Sequence, residues 1–146
     1  VTYDQGHPTD VHPRNKAVVG QRLSLVAQKK VYKKKINWTG PLYKSHKVQS
    51  GKIILSFKKS SLYKSALATI NKDKKIMGFE IAGSNGKFVA AQAKIKGKDV
   101  IVSSQEVRSP KYVRYAWFND PKQLANLGNK AGLPASPFTT QKDLLK

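Results

Sequence analysis

Cysteine is absent from the 146 residues, so the chain has no disulfide framework, no thiolate nucleophile and no cysteine-ligated metal. Acid is scarce, with 8 Asp+Glu against 28 Lys+Arg, and arginine is limited to Arg14, Arg22, Arg108 and Arg114. No apolar run approaches the ~20 residues a membrane-spanning helix needs, and no membrane partner is expected. A phosphate-binding loop, a Gly-rich dinucleotide fingerprint, a Gly-x-Ser-x-Gly elbow and a Gly-Asp-Ser motif are all missing. The first residue is Val1, and nothing near it has the pattern of a signal peptide, so the N-terminus is expected to be cut.

What is present suffices for a core. Hydrophobic residues make up 39% of the chain, including 5 Phe, 6 Tyr and 2 Trp, and a domain of this length buries roughly 70% of its unfolded surface. The net charge of +20 points first to nucleic acid, acidic glycans or an anionic surface. The cations are overwhelmingly Lys, however, and Lys keeps a surface wet where Arg recognises phosphate and guanine bidentately. Runs such as Lys33-Lys34-Lys35 and Lys72-Asp73-Lys74-Lys75 suit loops and exposed edges. A nucleic-acid partner is therefore disfavoured. A missing segment that carries the balancing negative charge is a further explanation.

The hydrophobic period changes along the chain. Residues 1–12 are irregular, and Pro13 stands where a first helical residue belongs. Val19, Leu23 and Val26 recur at helical spacing, Val18 and Leu25 widen the stripe, and Lys29, Lys30 and Lys33 gather at the end that suits a helix dipole. Past residue 35 short strand-like runs follow: 52–57, 67–70, 76–81, 87–95, 99–103 and 111–118. Asn85-Gly86 predicts a type I′ hairpin turn and Gly97-Lys98 a second tight connection. The tail from Asn119 is expected to be mostly loop. The fold class is thus mainly β, an antiparallel β-sandwich over residues 35–146 preceded by one helix within residues 1–34. That helix needs a partner layer for its apolar stripe, either the β module or a domain lying upstream.

The densest chemistry is His7-Pro8-Thr9-Asp10-Val11-His12-Pro13. An acid two residues before a His, in a loop running into a helix, can hold the imidazole tautomer and stabilise the imidazolium formed when His accepts a proton. A helix-capping loop with polar surface residues presents the same pattern. His7, His12 and Asp10 can be offered as metal ligands, but no fourth ligand stands at a suggestive spacing, and no metal or cofactor is expected. Ser84, in the Gly83–Gly86 turn segment, has no base beside it and reads as a turn residue. Trp38 and the run Tyr112-Val113-Arg114-Tyr115-Ala116-Trp117 alternate like strands with one buried face; a sugar- or base-stacking platform is the competing account.

Several collinear blocks carry a resemblance: Asp10-Val11-His12-Pro13-Arg14-Asn15-Lys16, Val19-Gly20-Gln21-Arg22-Leu23, Gly40-Pro41-Leu42-Tyr43, Gly78-Phe79-Glu80-Ile81-Ala82-Gly83, Val113-Arg114-Tyr115-Ala116-Trp117 and Gly132-Leu133-Pro134-Ala135-Ser136-Pro137-Phe138. Over nearly its whole length the chain resembles the sialate O-acetylesterase (9-O-acetylesterase) family of SGNH-type carbohydrate esterases, in their C-terminal part. The resemblance implies hydrolysis of acetyl esters on sugars such as O-acetylated sialic acid, in the periplasm or outside the cell. It implies that residues 1–34 close an α/β, flavodoxin-like hydrolase domain that is absent here, and that residues 35–146 form an attached β domain. His12 takes the base role by resemblance, with Asp10 orienting it and Asp4 as the alternate acid. The Ser nucleophile and oxyanion donors lie upstream of this chain, so the missing catalytic region of the same protein is the implied partner, and the 146 residues alone are expected to be inactive. The alternative that needs no resemblance is a basic β domain binding polyanions.

Overall fold

The computed structural model describes residues 1–141 apart from 8, 11, 13, 72, 74 and 120–124. Pro13, expected at the first helical position, lies outside the described residues, as do Lys72 and Lys74 of the second lysine run. After a short 3-10 turn at Tyr3–Gln5 comes the helix α1, Lys16–Lys30. The strands are β1 (Tyr43–Gln49), β2 (Lys52–Phe57), β3 (Leu67–Thr69), β4 (Phe79–Ala82), β5 (Val89–Ala90), β6 (Gln92–Lys96), β7 (Asp99–Ser103), β8 (Tyr112–Tyr115), β9 (Leu127–Asn129) and β10 (Phe138–Thr139).

Two four-stranded sheets, ordered β1-β2-β7-β6 and β10-β8-β4-β5, form the sandwich, and a two-stranded β3-β9 ribbon accompanies them. Each strand pair is antiparallel. Alternation explains the layers. Ile53, Leu55, Phe57, Val100 and Val102 point inward from the first sheet, and Phe79, Ile81, Val113 and Tyr115 from the second, into one shared core. Full burial of each such side chain contributes about 1.5–3 kcal/mol of hydrophobic stabilisation. In the run from Tyr112, alternation buries Val113 and Tyr115 and leaves Tyr112 and Arg114 half-buried; it ends at Ala116, left-handed at φ +52°, beyond which Trp117 reaches solvent.

Four local expectations change. The run 87–95 is not one strand. It breaks at Ala91 and passes from the second sheet, as β5, into the first, as β6, which makes it a corner shared by both layers. In the run 76–81 only Phe79 onward is strand, because Gly78 turns the chain at φ +93° and Ile76 instead bridges to Ala93. Asn85-Gly86 does not make a type I′ turn, which needs positive φ at both central residues. Gly83 O accepts from Gly86 N–H at 3.2 Å and only Gly86 is left-handed there. The I′ pattern appears between β1 and β2, where Ser50 (φ +49°) and Gly51 (φ +68°) are both left-handed. Lastly, the tail contains β9 and β10, and β9 is buried throughout.

Helix α1 sits outside this core. None of its residues is buried, and Leu23 is 65% exposed. Its start is set by Asn15, whose side-chain oxygen accepts from Val18 N–H at 3.3 Å. At its other end Lys30 Nζ lies 4.7 Å from the centre of the Trp38 ring, a cation–π contact with the chain leading into the sandwich.

Candidate functional site

The loop before α1 is built around Asp10. Its carboxylate Oδ1 accepts from His12 N–H at 2.9 Å, closing an Asx turn, and lies 3.4 Å from His12 Nδ1. His7 pairs with Asp10 as an isolated β-bridge, and its Nδ1 is 3.3 Å from Thr9 Oγ1. The structure therefore brings Asp10 and His12 together and leaves the His12 side chain 78% exposed. A carboxylate beside Nδ1 of a largely exposed imidazole is an arrangement that can serve a general base.

Asp4 is placed elsewhere. Arg22, on α1, grips it bidentately, Nη1 to Oδ1 at 2.6 Å and Nη2 to Oδ2 at 2.7 Å, and Gln5 Nε2 donates to Oδ2 at 2.9 Å. Burial works to raise the Asp4 pKa, but the Arg22 and Gln5 hydrogen bonds outweigh it and hold the carboxyl below its ordinary 3.8. Arg22 Nη1 also donates to the Val1 carbonyl at 2.9 Å. Asp4 thus ties the N-terminal segment to the helix, and no hydrogen bond joins it to His12 among the described residues.

The same segment is anchored to the sandwich by Tyr3. Its hydroxyl lies 2.8 Å from the hydroxyl of Tyr115, which accepts from Leu127 N–H at 2.8 Å, and the two rings meet edge to face. Burial pushes the Tyr3 hydroxyl up to about 12 and raises that of Tyr115 further, so both stay neutral hydrogen-bonding partners at ordinary pH. The relay Arg22–Asp4, then Tyr3–Tyr115, joins helix, loop and β domain. Sequence reasoning missed it: the partners stand 18 and 112 residues apart and share no period. Between α1 and the sandwich a cleft of about 240 Å³ is lined by Val1, Arg22, Val26, Trp38, Leu42 and Pro134 among others; neither His12 nor Asp10 is among its lining residues.

Among the described residues no serine hydroxyl is hydrogen-bonded to His12. Ser104 Oγ instead accepts from Glu106 N–H at 3.3 Å, and Ser61 is committed to Lys58 and Leu42. No three His, Asp or Glu side chains converge on a possible metal position among the described residues.

No family model matches the chain, and no curated protein matches it. Among solved structures, 94% of the chain superposes on a carbohydrate acetylesterase from Xanthomonas citri, with a TM-score of 0.87 and 40% sequence identity. The chain is a relative of a carbohydrate acetylesterase. It spans 31% of the length of that neighbour, so the likeness concerns this portion and its helix-plus-sandwich fold.

Proposed function

We propose that the chain is the C-terminal portion of a carbohydrate O-acetylesterase that removes acetyl esters from sugars such as O-acetylated sialic acid, secreted or periplasmic, and of SGNH type. The single observation that carries the acetyl-ester reading is the likeness to the Xanthomonas citri enzyme. The family resemblance in the blocks from Asp10 to Phe138 supports the finer statement.

In this reading His12 supplies proton transfer to a nucleophile outside these residues. His12 Nε2 takes the proton of a serine hydroxyl as its oxygen attacks the acetyl carbonyl. The same nitrogen returns the proton to the sugar oxygen as the ester C–O bond breaks. Water, deprotonated in turn by His12, then releases acetate from the acyl-serine. Asp10, 3.4 Å from Nδ1, holds the imidazole orientation and stabilises the imidazolium. The exposed Leu23 stripe of α1 would be covered by the hydrolase domain that brings the serine.

Among the described residues no nucleophile is hydrogen-bonded to His12, and the chain alone is inactive in this account. An activated acetyl ester incubated with the 146 residues should show background hydrolysis, unchanged by His12→Ala. Hydrolysis well above background that disappears in His12→Ala would contradict the assignment of the nucleophile to another segment.

A further inference from the structure

The outer face of the first sheet organises part of the chain's positive charge. Strand register sets Lys47, Ile54, Ile101 and Lys94 side by side across β1, β2, β7 and β6. They turn away from the core because their sequence neighbours Ile53, Leu55, Val100, Val102 and Ala93 point into it. Lys96, opposite Asp99, lies in the row on one side; Lys52, opposite Gln49, lies in the row on the other. All four lysines are exposed, and none forms an ion pair among the described residues. The one acid on these rows, Asp99, accepts from Ser56 Oγ at 2.8 Å. A depression of about 300 Å³ crosses the face, floored by Ile54 and Ile101 and edged by Lys47, Gln49, Lys96 and Asp99.

Adjacent strands are about 4.8 Å apart, so Lys47 and Lys94, three strands apart, flank the isoleucine pair across roughly 14 Å. A sugar ring matches that pattern: its C–H face suits an apolar floor, its hydroxyls suit the Gln, Ser and Asp groups, and a ring carboxylate suits the lysines. We propose that this face binds an acidic polysaccharide, a chain of carboxylated sugars laid over Ile54 and Ile101 with lysines on both sides. Nucleic acid fits the face less well. No aromatic side chain stands in these rows to stack a base, and none of the four arginines is there. The inference does not rest on the esterase reading, since it concerns the face turned away from the core and its test reads binding.

Affinity electrophoresis of the 146-residue chain in gels containing polygalacturonate, a neutral glucan or no polymer tests it. Retardation by polygalacturonate at low salt, weakening steeply as salt rises, is expected, with none by the glucan. K47E combined with K94E should weaken binding roughly tenfold. K34E combined with K35E, the same change of charge at exposed lysines just past α1 and outside the strands of this sheet, should weaken it less than about twofold. An unchanged melting temperature establishes that the first pair folds, and the neutral pair K47Q with K94Q should fall between the two. Equal weakening by both Glu pairs, absence of retardation, or tighter binding to duplex DNA than to polygalacturonate would each overturn the proposal.

Discussion

Replacing Tyr115 by Phe removes one oxygen that serves two partners. Leu127 is fully buried, and its N–H donates to that oxygen at 2.8 Å; in Tyr115→Phe this donor loses its acceptor. A buried unpaired N–H costs about 1–3 kcal/mol. Tyr3 also loses its 2.8 Å partner but keeps a contact with the Leu127 carbonyl at 3.5 Å, so it adds little. The sum is about 2 kcal/mol, which in a domain of this size lowers Tm by roughly 4–8 °C. Tyr3→Phe breaks the same hydroxyl pair from the other side. There Tyr115 keeps the Leu127 N–H and lies 3.4 Å from the Leu127 carbonyl, so the cost should be about 0.5–1 kcal/mol. Urea unfolding of both variants and of the double variant measures this asymmetry, with the double less destabilised than the sum because the shared bond is lost only once. Equal costs for the two single variants, or a Tyr115→Phe protein as stable as the parent, would refute the claim that Tyr115 is the hub fastening the N-terminal segment to the sandwich.

Acid should loosen the helix. The folded-state pKa of Asp4 lies below 3.8, so the unfolded chain binds the proton more readily; the contribution is complete above that value and is lost as pH falls through the folded one. Unfolding free energies across acidic pH should fall less steeply for Arg22→Gln than for the parent, and parallel slopes would contradict the clamp. Two glycines give opposite signs. A Cβ on Gly40 overlaps the Pro134 backbone, so Gly40→Ala should destabilise by about 1–3 kcal/mol. A Cβ on Gly20, mid-helix, meets nothing within 4 Å, so Gly20→Ala should stabilise by about 0.5–1 kcal/mol, both read by thermal unfolding.

Strands with one buried face were legible where their apolar residues gather in short runs. Lys52–Phe57 and Asp99–Ser103 are short apolar runs with polar residues at or near their ends; burial alternates along them although Ile54 and Ile101 keep the sequence from doing so, and β2 and β7 have the bounds the runs imply. Strand β1 was not legible: Tyr43–Gln49 is an edge strand exposed on nearly every residue, so alternation of hydrophobicity has nothing to record. Strands β9 and β10 escaped because they are two or three residues long and lie among prolines and asparagines. Asn126 and Asn129 there look like loop residues, yet both are buried and spend their amides on distant carbonyls, Asn126 on Lys75 and Asn129 on Thr39 and Ser61. At the loop, Asp10 and His12 could be paired from their spacing because an Asx turn is local. The engagement of Asp4 by Arg22 could not, since it depends on where α1 lies.

The central claim is that His12 is the proton-transfer residue of a carbohydrate acetylesterase. Its most direct test is His12→Ala in the enzyme containing this chain, assayed for acetate release from an acetylated sugar, with folding checked by circular dichroism. The account predicts a fall in kcat of roughly 10⁴-fold or more, as for loss of a triad member, with KM little changed. A folded His12→Ala enzyme that retains full kcat would contradict it.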